Sequence, residues 1–129
     1  MSSDVIQQFY DVYHQRQPDL LNTLLTPSYV GEVNGRAIVG VEAAKGFIQT
    51  FLTAFPDVHY TLHDRITSGQ KVVTRWSATA THQGSFAGIE ATHKPVTMLG
   101  ITIFAIADNR IKTLWSVWDV FGLTQQLHP

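Results

Sequence analysis

The chain has 129 residues with 44% hydrophobic and 11% aromatic content, which suits a single domain spanning residues 1–129 and leaves no room for a second. A formal net charge of -1 without any run of Lys or Arg excludes the basic surface of a protein that grips nucleic acid or an anionic membrane. From this low charge we expect a small, weakly charged partner. The absence of cysteine excludes disulfides, thiolate metal sites and cysteine nucleophiles.

The N-terminal stretch MSSDVIQQFYDVYHQ does not look like a targeting segment. It lacks the basic start and the unbroken apolar core of a signal peptide, and no later stretch is long enough to cross a bilayer. The sequence therefore predicts a soluble cytoplasmic protein with no membrane partner.

Helices are predicted mainly in the first half of the chain, where apolar residues recur with a period near 3.6. Ser2, Ser3 and Asp4 can cap the free amide groups of the first helix. The predicted helices run from Asp4 to about Gln17, from Pro18 to Pro27, from Val41 to Phe55 and, at the C-terminus, from Val120 to Leu127.

Alternating patterns and turn dipeptides predict five strands, mostly in the second half. These are Tyr29 to Val33, Val58 to Ile66, Lys71 to Gln83, Val96 to Ala107 and Arg110 to Trp118. Strict alternation puts Ile66 on the apolar face of its strand and His82 on that of the next. In the last strand it puts Trp115 and Asp119 on the same face as Ile111.

Helices followed by strands indicate an α+β protein in which N-terminal helices pack on an antiparallel sheet. The strand from Val96 to Ala107 is apolar on both faces, while the helices shield only one of them. We therefore expect a homodimer across the other face, and a large internal cavity for a ligand is compatible with it.

Asp119 has two interpretations. It ends a strand and precedes a short helix, so its carboxylate can cap that helix. Alternatively, it faces inward beside Trp115, where desolvation would raise its pKa and let it exchange protons near neutral pH.

The other candidate residues also have both a structural and a functional interpretation. His82 can be a hydrogen-bonded core residue, or it can donate to a developing enolate oxygen or orient a carboxylate. Tyr10 and Tyr13 can pack in the core or send a hydroxyl into a pocket as an oxyanion donor. His59 and His63 lie on a wet strand face, which argues against a metal site there.

Three stretches together resemble one known family over nearly the whole chain: FPDVHYTLHD, RWSATATHQGSFAGIEATHKPVTMLGITIFAIADNRI and LWSVWDVFGLTQQL. The chain resembles the SnoaL-like polyketide cyclases, in the nuclear-transport-factor-2-like superfamily that also contains ketosteroid isomerase. The resemblance implies a dimer and a cone-shaped half-barrel, with a pocket between helices and curved sheet. The residues expected to line that pocket are Tyr10, Tyr13, Phe51, Trp76, Phe86, Thr102 and Trp115.

The resemblance also implies a reaction, an intramolecular aldol condensation without cofactor or metal on a small hydrophobic substrate. Asp119 matches the family's acid/base aspartate by position, and His82 would assist it. The strand before the last one offers only Thr102 as a polar side chain, where characterised cyclases have more.

Three alternatives remain open. An isomerase like the ketosteroid enzyme would pair an acid with Tyr10 or Tyr13. An epoxide hydrolase would need an acid and an arginine together, whereas strict alternation puts Asp64 and Arg75 on opposite faces. A dimeric module could instead bind a hydrophobic small molecule without catalysis.

Overall fold

In the computed structural model, which describes residues 4–128, helices cover one face of an open, curved sheet of six strands. The helices are α1 (Val5–Gln15), a 3₁₀ turn (Pro18–Leu20), α2 (Leu21–Leu24), α3 (Val41–Ala54) and α4 (Val120–Leu127). The strands are β1 (Leu25–Val33), β2 (Arg36–Val39), β3 (His59–Ser68), β4 (Lys71–Thr81), β5 (Pro95–Ala107) and β6 (Arg110–Trp118). The predicted α+β class, with helices packed on a curved sheet, is confirmed.

The sheet is mixed rather than wholly antiparallel. Its strand order is β2-β1-β6-β5-β4-β3, and β1 runs parallel to β6 while every other pair is antiparallel. Most of the chain separates β1 from β6, so no hairpin forces these two strands to run in opposite directions. Within residues 4–128, no helix has the length and apolar content needed to cross a membrane.

Helix α1 is tethered to β3 at both of its ends. Asp4 caps its first turn by accepting hydrogen bonds from the backbone N–H groups of Ile6 and Gln7, and Arg65 donates two hydrogen bonds to the same carboxylate. Those bonds from Arg65 are the main reason that the pKa of Asp4 is lowered. Near the other end, Nε2 of His14 accepts from the backbone N–H of Tyr60 at 2.9 Å. Ser2 and Ser3, also expected to cap, lie outside the described residues.

Two β-bulges reverse the direction in which side chains point. In β3 the extra residue is His63, because Leu62 lies opposite Trp76 while the next pair joins Asp64 to Arg75. The prediction that Asp64 and Arg75 face opposite ways is therefore wrong, since they form an ion pair at 2.6 Å on the outer face. For the same reason the predicted inward position of Ile66 is wrong, because this residue is 62% exposed.

The second bulge lies in β6, where Lys112 is the extra residue. Ile106 of β5 pairs with Ile111, and the adjacent Ala105 pairs with Thr113. Odd-numbered residues therefore point inward before the bulge, and even-numbered residues point inward after it. Those that face the helices are Ile111 before the bulge, and Leu114, Ser116 and Trp118 after it.

Candidate functional site

A small cavity lies between α1, α3 and the inner face of the sheet. Its volume is about 70 Å³, and its wall is mostly aromatic and aliphatic. Of the seven residues expected to line a pocket, five line this cavity: Tyr10, Tyr13, Phe51, Trp76 and Thr102. Other lining residues are Phe9, Tyr29, Tyr60, Met98, Leu114, Ser116 and Trp118.

Two hydroxyl groups form a polar spot on the sheet side of the cavity. Nε1 of Trp76 donates to Oγ1 of Thr102 at 3.0 Å, and the Thr102 and Ser116 hydroxyls lie 3.0 Å apart. All three side chains are buried. Tyr10 also approaches Thr102, since a hydrogen bond between these two side chains is among the causes that act on the pKa of Tyr10. When Thr102 donates to Ser116, the Ser116 hydroxyl keeps its own hydrogen, which it can donate to an oxygen atom of a ligand.

Tyr10 adds a third hydroxyl near this pair. Its OH lies 2.7 Å from Oγ1 of Thr74, which lies 3.5 Å from the carbonyl oxygen of Thr102. Burial raises the pKa of Tyr10 to about 12, against the opposing effect of the hydrogen bond with Thr74. Burial likewise raises the pKa values of Tyr13 and Tyr29. These phenols are therefore neutral at physiological pH, and they can donate hydrogen bonds but cannot act as bases.

A glycine gives the Trp76 ring its place on the sheet. Gly100 lies opposite both Trp76 on β4 and Trp118 on β6, and a Cβ atom there would overlap the Trp76 ring. Because Gly100 has no side chain, the indole lies across it and its Nε1 reaches Thr102. The hydrogen bond from Trp76 to Thr102 thus depends on a close approach that only glycine permits.

A wider vestibule of about 610 Å³ adjoins the cavity and opens between α3 and the β1–β2 hairpin. The residues that line both spaces are Val33, Ile38, Phe47, Phe51 and Trp118. Phe86, expected in the pocket, lines this vestibule, with its ring 5.2 Å from Phe55 and 6.2 Å from Trp118. The loop that carries Phe86 is anchored to α3, because Gln83 and Gly84 both donate their N–H groups to the carbonyl oxygen of Ala54.

Asp119 does not reach the cavity. It is exposed and caps α4, where its Oδ1 accepts from the N–H of Gly122 at 2.7 Å. The predicted inward position of Asp119 and Trp115 is wrong, because the bulge at Lys112 puts both on the opposite face from Ile111. Trp115 is 45% exposed there. The structure thus agrees with the interpretation of Asp119 as a helix cap.

His82 faces inward as predicted, yet it lies apart from Asp119 and does not line the cavity. It is fully buried, with its ring 5.6 Å from that of Phe55. Its Nδ1 accepts the backbone N–H of Thr92 at 3.1 Å, so a neutral ring carries its proton on Nε2. Within residues 4–128 that Nε2 is buried without a hydrogen-bond partner. The structure therefore does not bring the two predicted catalytic residues together.

Ser116 and Thr74 are polar residues of the site that sequence reasoning missed. Both are hydroxyl residues inside otherwise apolar strand stretches, which is the signal that could have indicated them. For Ser116 the bulge hid that signal, because strict alternation from Ile111 turns Ser116 outward. Across residues 4–128, no three His, Asp or Glu side chains converge in a way that could hold a metal ion.

Comparison with known proteins gives the family. The model of the SnoaL-like polyketide cyclase family matches residues 3–127, nearly the whole chain. The chain belongs to the SnoaL-like polyketide cyclase family. No curated protein matches the sequence.

Solved structures of three other proteins share the fold. TsrD from Streptomyces laurentii is 28% identical with a TM-score of 0.86, over 95% of this chain and 91% of its own. IdmH from Streptomyces antibioticus, a candidate polyketide cyclase, is 27% identical with a TM-score of 0.85, over 97% and 96%. A candidate cyclase from Acidithiobacillus ferrooxidans is 27% identical with a TM-score of 0.86, over 98% and 94%. Family and neighbours support a cyclase-like role.

The outer face of this SnoaL-like sheet carries a second, shallower concavity of about 830 Å³. Arg75 and Asp119 are its charged lining residues. The exposed apolar residues that line it are Leu99, Ile101, Trp115, Val117 and Phe121. A monomer would leave this patch in contact with water.

Proposed function

We propose that this SnoaL-like chain is a cofactor-independent, cyclase-like enzyme that acts on a small apolar carbonyl compound. The apolar part of the ligand would fill the cavity and extend into the vestibule, with a carbonyl oxygen on the Thr102–Ser116 pair. The observation that carries this proposal is the buried Thr102–Ser116 hydroxyl pair, which can present a hydrogen-bond donor to a ligand oxygen in a cavity whose wall is mostly apolar.

The proposed reaction is an intramolecular aldol condensation or a related proton transfer from a carbon acid. A proton leaves the carbon next to one carbonyl group, the enolate attacks a second carbonyl, and the resulting alkoxide takes up a proton. A hydroxyl donor aimed at the carbonyl oxygen stabilises the charge that develops on the enolate. Walls that hold the substrate folded supply the proximity effect, which reaches roughly 7 to 11 kcal/mol in favourable cases.

The acid/base assignment of Asp119 and His82 stays a prediction, and their positions give it no support. The cavity and the vestibule are lined by neither a carboxylate nor an imidazole among the described residues. We therefore infer that a base from the solvent, such as hydroxide, takes the carbon-bound proton through the vestibule, and that the protein contributes by positioning and by hydrogen bonding. Asp119 then contributes only to the stability of α4.

A non-catalytic module that binds a hydrophobic small molecule is the second candidate. For either candidate the cavity alone is too small for an aromatic ligand, since about 70 Å³ is less than the roughly 150 Å³ that holds benzene in an engineered cavity, so the ligand must extend into the vestibule. Both candidates use the same binding site, and they differ only in whether a bound dicarbonyl closes into a ring faster than it does free in solution.

The test is a titration with butyrophenone, an apolar aromatic ketone, followed by quenching of tryptophan fluorescence. Thr102→Val keeps the shape of the side chain but removes its hydroxyl, so we expect affinity to fall by about fivefold, the order of one hydrogen bond. Asp119→Asn, the control, keeps the helix cap and should leave affinity unchanged. Equal affinity in all three proteins would contradict the assignment of the site.

Ring closure of heptane-2,6-dione, followed by the absorbance of the cyclic enone, separates the two candidates. A cyclase accelerates it, and Thr102→Val slows it. Intact butyrophenone binding without any acceleration would leave the binding module as the function.

We also propose that the protein is a homodimer in which a second copy covers the outer concavity. Burial of the exposed apolar patch would stabilise such a dimer by the hydrophobic effect.

A further inference from the structure

The vestibule has one charged lining residue among the residues that the structure describes, Arg36. Arg36 is the first residue of β2, directly after the Asn34-Gly35 turn, and it pairs with Val33 across the hairpin. It is exposed, whereas Ile38, two residues further along the same strand, is buried in the cavity wall. Alternation along β2 therefore puts the guanidinium on the side of the sheet that leads to the cavity.

No acidic partner neutralises Arg36 within residues 4–128. Arg65 and Arg75 are paired with carboxylates, while Arg36 makes neither an ion pair nor a side-chain hydrogen bond. No Asp or Glu lines the vestibule or the cavity. No carboxylate of the lining therefore opposes the positive charge of Arg36. The apolar walls of the vestibule weaken the screening of this charge by water.

A neighbouring amide supplies a further donor. Oδ1 of Asn34 accepts the backbone N–H of Trp118 at 2.9 Å, so the amide oxygen is engaged and the NH₂ group has no partner among the described residues. Asn34 lines the same vestibule, and its backbone has a φ of 49°, a left-handed conformation that asparagine tolerates. Asn34 and Arg36 together offer only N–H donors, the requirement for binding a carboxylate.

We propose that Arg36 binds a carboxylate group of the ligand and that the substrate class is a small apolar keto acid. The ketone would lie on the Thr102–Ser116 pair, the aryl or alkyl part would extend from the cavity along the apolar wall of the vestibule, and the carboxylate would lie in the vestibule beside Arg36. This inference rests on the proposed function, because it extends the ligand from the same cavity.

Three probes that share one phenyl ketone test the inference: 4-oxo-4-phenylbutanoate, its methyl ester, and butyrophenone. Affinities are measured by calorimetry for the wild type, Arg36→Gln and Arg36→Lys. The matched control is Arg110→Gln, which removes the same charge at an exposed site that lines neither space.

The wild type should bind the keto acid about tenfold more tightly than the ester, the order expected for a charge-assisted hydrogen bond. Arg36→Gln should abolish that preference without changing the affinity for butyrophenone. Arg36→Lys should retain part of it, since lysine keeps the charge but loses the bidentate geometry. Added salt should weaken binding of the acid and not of the ester.

Two results would overturn the inference. The first is that the wild type does not bind the keto acid, or binds it no more tightly than the ester. The second is that the preference for the acid over the ester survives in Arg36→Gln, or is lost equally in Arg110→Gln. The proposed function fails separately, when butyrophenone does not bind the wild type or binds it as well after Thr102→Val.

Discussion

A single extra residue, Lys112, determines which side chains of β6 reach the cavity. It turns Ser116 inward beside Thr102 and leaves Asp119 on the outer face. Sequence alternation alone does not reveal such a bulge, because Leu114 and Trp118 make one face apolar and Trp115 makes the other face apolar too. The pocket positions of Tyr10, Tyr13, Phe51, Trp76 and Thr102 were expected from the sequence, whereas Trp115 was wrongly expected there and Ser116 was missed.

Substitutions of Asp119 test its role as the cap of α4. Asp119→Asn should change the free energy of unfolding by less than about 0.5 kcal/mol, since asparagine caps helices about as well as aspartate. Asp119→Ala should cost about 1 kcal/mol, because the N–H of Gly122 loses its acceptor. Urea denaturation measures both. A large loss in Asp119→Asn would instead show that the charge of Asp119 matters.

At the scale of elements, the helices and long strands were predictable because proline, glycine and turn dipeptides mark the ends of clearly periodic runs. Strand β2 was missed, since four residues after a tight turn leave too few positions for a pattern. The parallel pairing of β1 with β6 was also missed, because it joins distant parts of the chain and depends on how the whole sheet closes.

The tether between α1 and β3 makes stability depend on pH. The pKa of Asp4 in the folded state is lowered chiefly by Arg65, below the value of about 3.9 in the unfolded chain. Its contribution is therefore fully present above the unfolded pKa and is lost as pH falls through the folded pKa. The advantage of wild type over Asp4→Asn in unfolding free energy should shrink between about pH 6 and pH 2.

Arg65→Gln is the control for the pH dependence of this tether. It removes the main cause of the lowered pKa, so in this background the effect of Asp4→Asn should depend much less on pH. If the difference in unfolding free energy between wild type and Asp4→Asn stayed constant with pH, the carboxylate would contribute only as an uncharged acceptor.

At the scale of the whole molecule, the outer concavity predicts association. Val117 lies in that concavity and is 46% exposed, so Val117→Lys should leave the monomer folded while putting a charge into the interface. Sedimentation equilibrium should give a dimer for the wild type and a monomer for Val117→Lys. Ile66→Lys is the matched control, since Ile66 is exposed on β3 outside the concavity. A monomeric wild type would contradict the proposed dimer.

We propose that the ligand binds in the inner cavity and not on the outer face that bears Asp119. The tryptophan indoles test it, because Nε1 of Trp76 donates to Thr102 in the cavity, whereas Trp115 lines the outer concavity and not the cavity. Trp76 also borders the outer concavity, so the Trp115 signal is the one that distinguishes the two sites. We would titrate ¹⁵N-labelled protein with butyrophenone and follow the indole N–H signals, assigned by single Trp→Phe substitutions. A saturable shift of the Trp76 signal with an unchanged Trp115 signal is the predicted result. A saturable shift of the Trp115 signal, with or without a shift of Trp76, would contradict binding in the inner cavity and would favour a site on the outer face near Asp119.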